Sequence, residues 1–144
     1  METQSYANHA KIVPLFHRAL FGLVAATLIG SVVNLIQSLN DHSRLYNAAL
    51  IVALTVAVLL VGFFCRTFAL KAQDRAIRAE ENLRHFVAAG KLLDSRLTLR
   101  QIVALRFASD GEFVELARRA AEQSLSADAI KQAIKSWRAD HDRL

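Results

Sequence analysis

Residues 45–65 read LYNAALIVALTVAVLLVGFFC, 21 positions without a charged side chain and with only Asn47 and Thr55 as polar interruptions. A helix rises about 1.5 Å per residue, so a run of roughly 20 residues matches the ~30 Å hydrocarbon core of a bilayer. The run does not alternate apolar and polar residues with period two, which speaks against a barrel strand. Lipid offers backbone amides no partner, so such a run is expected to be helical. Upstream, residues 19–40 form a second uncharged run of 22 positions, in which Thr27, Ser31, Asn34 and Gln37 sit among aliphatics. Its polar lead is long and no small-x-small site follows it, so it reads as a retained anchor rather than a cleaved signal peptide. Spans are expected at 19–39 and 45–65.

Composition agrees. Of 144 residues, 53% are apolar and 22% charged, with one proline and one cysteine, and the mean hydropathy is +0.25. Apolar and polar residues fall in blocks. This excludes a soluble globular chain, a disulfide scaffold and a disordered chain.

Only residues 40–44 separate the two runs, so they form a tight hairpin with both ends on one side. Lys11, Arg18, Arg66, Lys71, Arg75 and Arg78 flank the outer ends, against Arg44 alone in the loop. Positive-inside bias therefore puts both termini in the cytoplasm. The expected order is a cytoplasmic segment at 1–18, an external (periplasmic) loop at 40–44, a juxtamembrane helix at 66–90 and a cytoplasmic helical domain at 91–144. Phe16, Phe21, Phe63, Phe64 and Phe68 gather near one boundary and Tyr46 near the other, as interfacial aromatics do. The net charge is +5, and its excess lies beside the second span. There Arg66, Lys71 and Arg75, with Arg18, are expected to contact anionic lipid headgroups, each gaining about 1 kcal/mol.

Positions four apart in the first span read Gly22, Ala26, Gly30, Asn34, Ser38, and the second carries Ala49, Ala53, Ala57. Small residues at this spacing let helix backbones approach closely. Two readings stand: one stripe packs on the other within the hairpin, or the Gly22–Gly30 face meets another copy of the chain. Asn34 would glue helices at about 0.6–2 kcal/mol or line a pore. No Asp, Glu, Lys, Arg or His lies within either span, which argues against a proton-coupled transporter.

No helix breaker separates the second span from Ala89, so one helix is expected from Leu45 to Ala89, ended by Gly90, with a length of about 65–70 Å. Asp74–Arg78, Glu80–Arg84 and Glu81–His85 stand four apart in the stabilising order. Ala69, Ala72, Ala76, Ala79, Leu83 and Phe86 alternate three and four apart, a short heptad seam with small knobs. Through Leu83 and Phe86 this helix is expected to pack on its own C-terminal helices or on a neighbouring copy. Three short helices follow, opened by a Thr98–Gln101 capping box, a Ser109–Glu112 box and a Ser126 cap. Their apolar faces are Ile102/Leu105 (with Leu99), then Phe113/Leu116/Ala117/Ala120, then Ile130/Ala133/Ile134/Trp137, the last at helical spacing throughout. Some 47 residues make a marginal core alone, so docking on the long helix or another subunit is expected.

Sharper functions find little support. Lys131, Lys135 and Arg138 could form a basic face on the last helix, but a balance of +1 over residues 98–144 is weak for phosphate binding, and no nucleic-acid partner is expected. There is no Gly-rich phosphate loop, no paired-cysteine site and no H-E-x-x-H. Asp140-His141-Asp142 lies at a chain end, and His9 and His17 fall near the headgroup level. Cys65 reads as a packed apolar thiol. No cofactor, metal or small-molecule substrate is indicated.

The stretch from Lys71 to Phe86, then Gly90-Lys-Leu-Leu-Asp94, Leu97-Thr-Leu-Arg-Gln-Ile102, Leu105-Arg-Phe-Ala-Ser-Asp110 and Ile134-Lys-Ser-Trp-Arg-Ala-Asp140 resemble a family of small bacterial two-span membrane proteins of unknown function. The opening Asn8-His9 and Pro14-Leu-Phe-His17 are similar too. The resemblance implies a bacterial inner-membrane location and no activity. The expectation is an all-α protein: a transmembrane hairpin, its second helix extended into the cytoplasm, and a small three-helix domain. Functionally it reads as a non-enzymatic, self-associating scaffold. The alternatives are a homo-oligomeric pore lined by Thr27, Ser31, Asn34 and Ser38, or a membrane-tethered nucleic-acid binder.

Overall fold

The computed structural model describes residues 5–6 and 14–140. Asn8, His9, Lys11, His141 and Asp142, together with the side chains of Phe16 and His17, lie outside the described residues. Among those described, the chain is all-helical: α1 (Phe21–Gln37, preceded by π-helical turns at Leu15–Leu20), α2 (His42–Ala89), α3 (Leu99–Leu105), α4 (Asp110–Glu122) and α5 (Ala127–Ala133). The single long helix expected from residue 45 is found, beginning three residues earlier. The described residues group into two compact units, 14–68 and 69–140 with 5–6, and α2 contributes to both.

In the first unit Asp41 starts α2. Its Oδ1 accepts from the Ser43 amide at 3.0 Å and the Ser43 hydroxyl at 2.6 Å, which satisfies donors that the first helical turn leaves over. The Ser43 hydroxyl holds the Asp41 carboxyl below the usual carboxylate range. Of the central positions, Ser31 and Ser38 on α1 and Ala48 and Thr55 on α2 are buried, flanked by half-buried Val24, Leu28, Leu35, Leu45 and Val52. These alternate three and four apart, a coiled-coil-like seam. Ser31, Ser38 and Thr55 each donate to a carbonyl of their own helix at 2.8 Å, so their hydroxyls enter the seam already satisfied.

In the second unit Gly90 terminates α2 with φ +70°, the left-handed conformation that glycine adopts without steric cost. Its amide donates to the Phe86 carbonyl at 2.8 Å. The Thr98–Gln101 box closes in both directions, and the Ser126 hydroxyl accepts from the Ala129 amide at 3.1 Å. Helix α4 ends with Ser124 at φ 50°, and the Leu125 amide returns to the Ala120 carbonyl at 3.1 Å, a Schellman closure in which serine stands where glycine is usual. Phe107, Phe113, Leu105 and Ile130 are the largest fully buried side chains. Around them pack Ile102, Leu116, Ala117, Ala120 and Ile134, with Trp137 half-buried against the Phe107 ring at 5.1 Å.

Three local expectations are corrected. The last helix does not reach Trp137; it ends at Ala133, and Ile134 is extended. The Ser109–Glu112 box does not form as a cap. Both differences have one cause: the Glu112 carboxylate accepts from the Lys135 amide at 3.1 Å and the Ser136 amide at 2.9 Å. Ser109 donates its amide to the Ser136 carbonyl at 3.0 Å and Arg138 donates to the Phe107 carbonyl at 2.7 Å. The stretch after α5 is thus laid along the α3–α4 junction as a strap, and periodicity alone cannot register such a tertiary partner. Third, Arg84 pairs with Glu81 rather than with Glu80. Glu112→Ala is expected to leave two amides without their acceptor, at about 1–3 kcal/mol each; hydrogen exchange at Lys135 and Ser136 should accelerate while exchange in α1 does not.

Candidate functional site

The most structured polar feature lies where α2 meets the α3–α4 junction. Ile77, Glu81 and His85 recur on one side of α2 and all are buried. Between them Arg84 reaches in four directions. Its Nη1 donates to Glu81 Oε2 at 3.0 Å, its Nε to Asp110 Oδ1 at 2.7 Å and its Nη2 to the Ala108 carbonyl at 2.7 Å. The guanidinium also lies 4.1 Å from the centre of the Phe113 ring, a cation–π geometry. His85 meets the same ring edge-on at 5.9 Å, and its Nδ1 donates to the Lys91 carbonyl at 2.7 Å, which ties the turn after Gly90 back to the helix. The Leu93 amide donates to Asn82 Oδ1 at 3.2 Å.

One guanidinium thus serves two carboxylates in different surroundings. Burial pushes the Glu81 carboxyl above its ordinary range, against the opposing pull of Arg84. Asp110 is exposed at the start of α4, and the Arg84 hydrogen bond holds it below that range. Beside this cluster a cleft of about 320 Å³ is lined by Ile77, Glu80, Glu81, Arg106, Arg138 and Asp140. Arg106 is buried there, 3.2 Å from Asp140 Oδ2 and stacked on Phe107. The cleft carries both signs of charge. Among the described residues no three His, Cys, Asp or Glu side chains gather as a metal-ligand set. The cluster's evident work is to join α2 to α4.

The residues singled out from sequence fall elsewhere, in part. Ile130 and Ile134 are buried and Trp137 packs against the core, as expected. Leu83 and Phe86 do not pack on the C-terminal helices; they are exposed, because the domain grips the Ile77–Glu81–His85 side of α2 instead. Gly22, Ala26, Gly30 and Asn34 are exposed, as are Ala49, Ala53 and Ala57. A Cβ placed on Gly22 or Gly30 would meet nothing within 4 Å. The hairpin therefore closes beside the small-residue stripes rather than along them. Ser31 and Ser38, half of the expected pore lining, are inside that closure. Arg18, Lys71 and Arg75 are exposed and Arg66 is half-buried. Cys65 is exposed rather than packed. Lys135 and Arg138 lie beyond α5, so no single basic helix face forms. Sequence reading missed the Glu81–Arg84–His85 cluster because charges at these spacings look like surface pairs; the signal was Ile77 four residues ahead of Glu81, marking a face that is buried.

These features define a class before a family: an all-helical protein with two helices long and apolar enough to cross a membrane and a small domain clamped to the end of the second. The family model described as a family of unknown function, DUF6526, matches residues 1–144, and the chain belongs to that family. No curated protein and no solved structure matches it.

Proposed function

We propose that the protein is a non-enzymatic, self-associating scaffold of the bacterial inner membrane, with α1 and the first half of α2 as spans and both termini cytoplasmic. The observation that carries the membrane assignment is exposure: in each apolar window only 11% of the residues are buried. Leu23, Ile29, Leu54 and Phe63 lie on the outside. So much contiguous apolar surface in water would cost roughly 25 cal/mol per Å², whereas in hydrocarbon it costs nothing. Arg18, Arg66, Lys71 and Arg75 then face anionic headgroups. Self-association is supported by the open Gly22–Ala26–Gly30–Asn34 face, which the hairpin leaves free for close approach by a second helix.

Counting copies in native nanodiscs tests the scaffold. More than one copy per assembly is expected, and Gly22→Leu with Gly30→Leu should lower the count, because the added side chains meet nothing within the chain. A strict monomer ends the reading. A tag on Leu144 that reacts from outside intact cells ends the topology.

A further inference from the structure

Helix α2 carries a second packing face that is exposed among the described residues. Counting heptads from Ala69 as position a places Ala76 and Leu83 at a, and Ala72, Ala79 and Phe86 at d. The C-terminal helices grip the other side: Ile77 and Arg84 fall at b, Glu81 at f and His85 at c. At about 100° per residue the two faces point nearly opposite ways. Leu83, Phe86 and Val87 are 63%, 52% and 78% exposed. Ala72, Ala76 and Ala79 are exposed as well. The helix is thus ordered by its back while its heptad seam stays exposed, with only the Glu80 and Leu83 edge bordering Arg138 of the C-terminal segment.

We propose that a second copy of this chain occupies the seam, the two α2 helices lying parallel and in register from Ala72 to Val87. The charges flanking the seam identify the partner. Arg75 falls at g and Glu80 at e, five residues on, and both are exposed. Among the described residues neither makes an ion pair with another. In a parallel pair, position g of one helix faces position e of the next heptad in the other, so Arg75 of each copy meets Glu80 of its mate, twice by symmetry. An antiparallel pair sets g against g and e against e and brings no opposite charges together. The parallel sense rests on the two-span reading, under which every copy sends α2 out of the membrane in one direction. The alanines allow close approach, and Leu83, Phe86 and Val87 supply apolar area in a stretch outside the lipid, where burial is favourable.

The test uses the full chain in native nanodiscs, with Cys65→Ser to remove the one native thiol. Ala79→Cys, at the seam, is expected to form disulfide-linked dimers under a mild oxidant, whereas Ala88→Cys, on the opposite side, is not. Glu80→Arg should reduce the linked fraction about fivefold, the effect of turning two modest attractions into repulsions; adding Arg75→Glu should restore it. Several copies per disc with no linking at Ala79, or equal linking at Ala79 and Ala88, overturns the seam and leaves self-association through the spans standing. A single copy per disc overturns both.

Discussion

Arg84→Met is expected to destabilise the C-terminal unit by about 3–5 kcal/mol, the penalty for leaving a buried charge without its partner. The two side chains are 12% and 7% exposed, so water does not readily replace the guanidinium beside Glu81. The substitution also removes donors to Asp110 and to the Ala108 carbonyl. The measurement is urea unfolding of the full-length protein in nanodiscs, followed by fluorescence of Trp137, the one tryptophan, whose ring packs on Phe107. Replacing Glu81 and Arg84 together by apolar residues of similar volume should recover most of the loss, since it removes the desolvation penalty along with the attraction. If Arg84→Met alone leaves the transition in place, the cluster is ornamental.

The penalty should also depend on pH in a defined sense. The folded-state pKa of Glu81 is raised, mainly by burial. A raised carboxyl contributes stability that is fully present below its unfolded-state pKa and is lost as pH rises through the folded value. In Arg84→Met the opposing pull of the cation is gone, so the folded value rises further. The defect should therefore grow as pH rises, because Glu81 needs a counter-ion only once it has lost its proton. Asp110 has the opposite sign: its pKa is lowered, so its contribution is present at neutral pH and fades in acid. Because Asp110 is solvated, Asp110→Asn should change stability far less than Arg84→Met does.

Phe113→Ala is the second large effect, expected at about 3–5 kcal/mol from lost burial and the cavity left behind. The ring is fully buried, with the Arg84 guanidinium over one face and the His85 ring in T-shaped contact with it. Loss of the ring therefore removes both core volume and the surface on which the cluster rests. Phe113→Leu should cost much less, because it keeps most of the volume and loses only the aromatic contacts. The same tryptophan signal reads both variants, and equal losses for Ala and Leu would show that packing volume is not what Phe113 supplies.

What was legible in the sequence is what local chemistry dictates. Two uncharged runs, the absence of any breaker between residue 45 and Ala89, glycine at 90 and the hydroxyl caps at Thr98 and Ser126 each act within a few residues, so each could be read along the chain. The apolar faces around Ile102, Phe113 and Ile130 were legible for the same reason, since helical spacing alone gathers them. The direction in which each helix turns its faces was not legible. The stripe Gly22–Ala26–Gly30 and the serine-lined seam through Ser31 and Ser38 have equal claims by spacing, and the hairpin buries the second, together with part of the larger apolar side chains Val24, Leu28, Leu35, Leu45 and Val52.

Sequence alone thus determined the elements, their order and the two apolar helices, because hydrophobic periodicity and caps are properties of neighbouring residues. The tertiary structure decided which side of α2 carries the domain, where the last helix stops and which carboxylate Arg84 serves. Each of those depends on a partner distant in the chain: Asp110 for Arg84, Glu112 for the amides of Lys135 and Ser136, Phe107 for Trp137. A buried charge or an unpaired amide is costly until such a partner arrives, and only the folded chain brings the partners together.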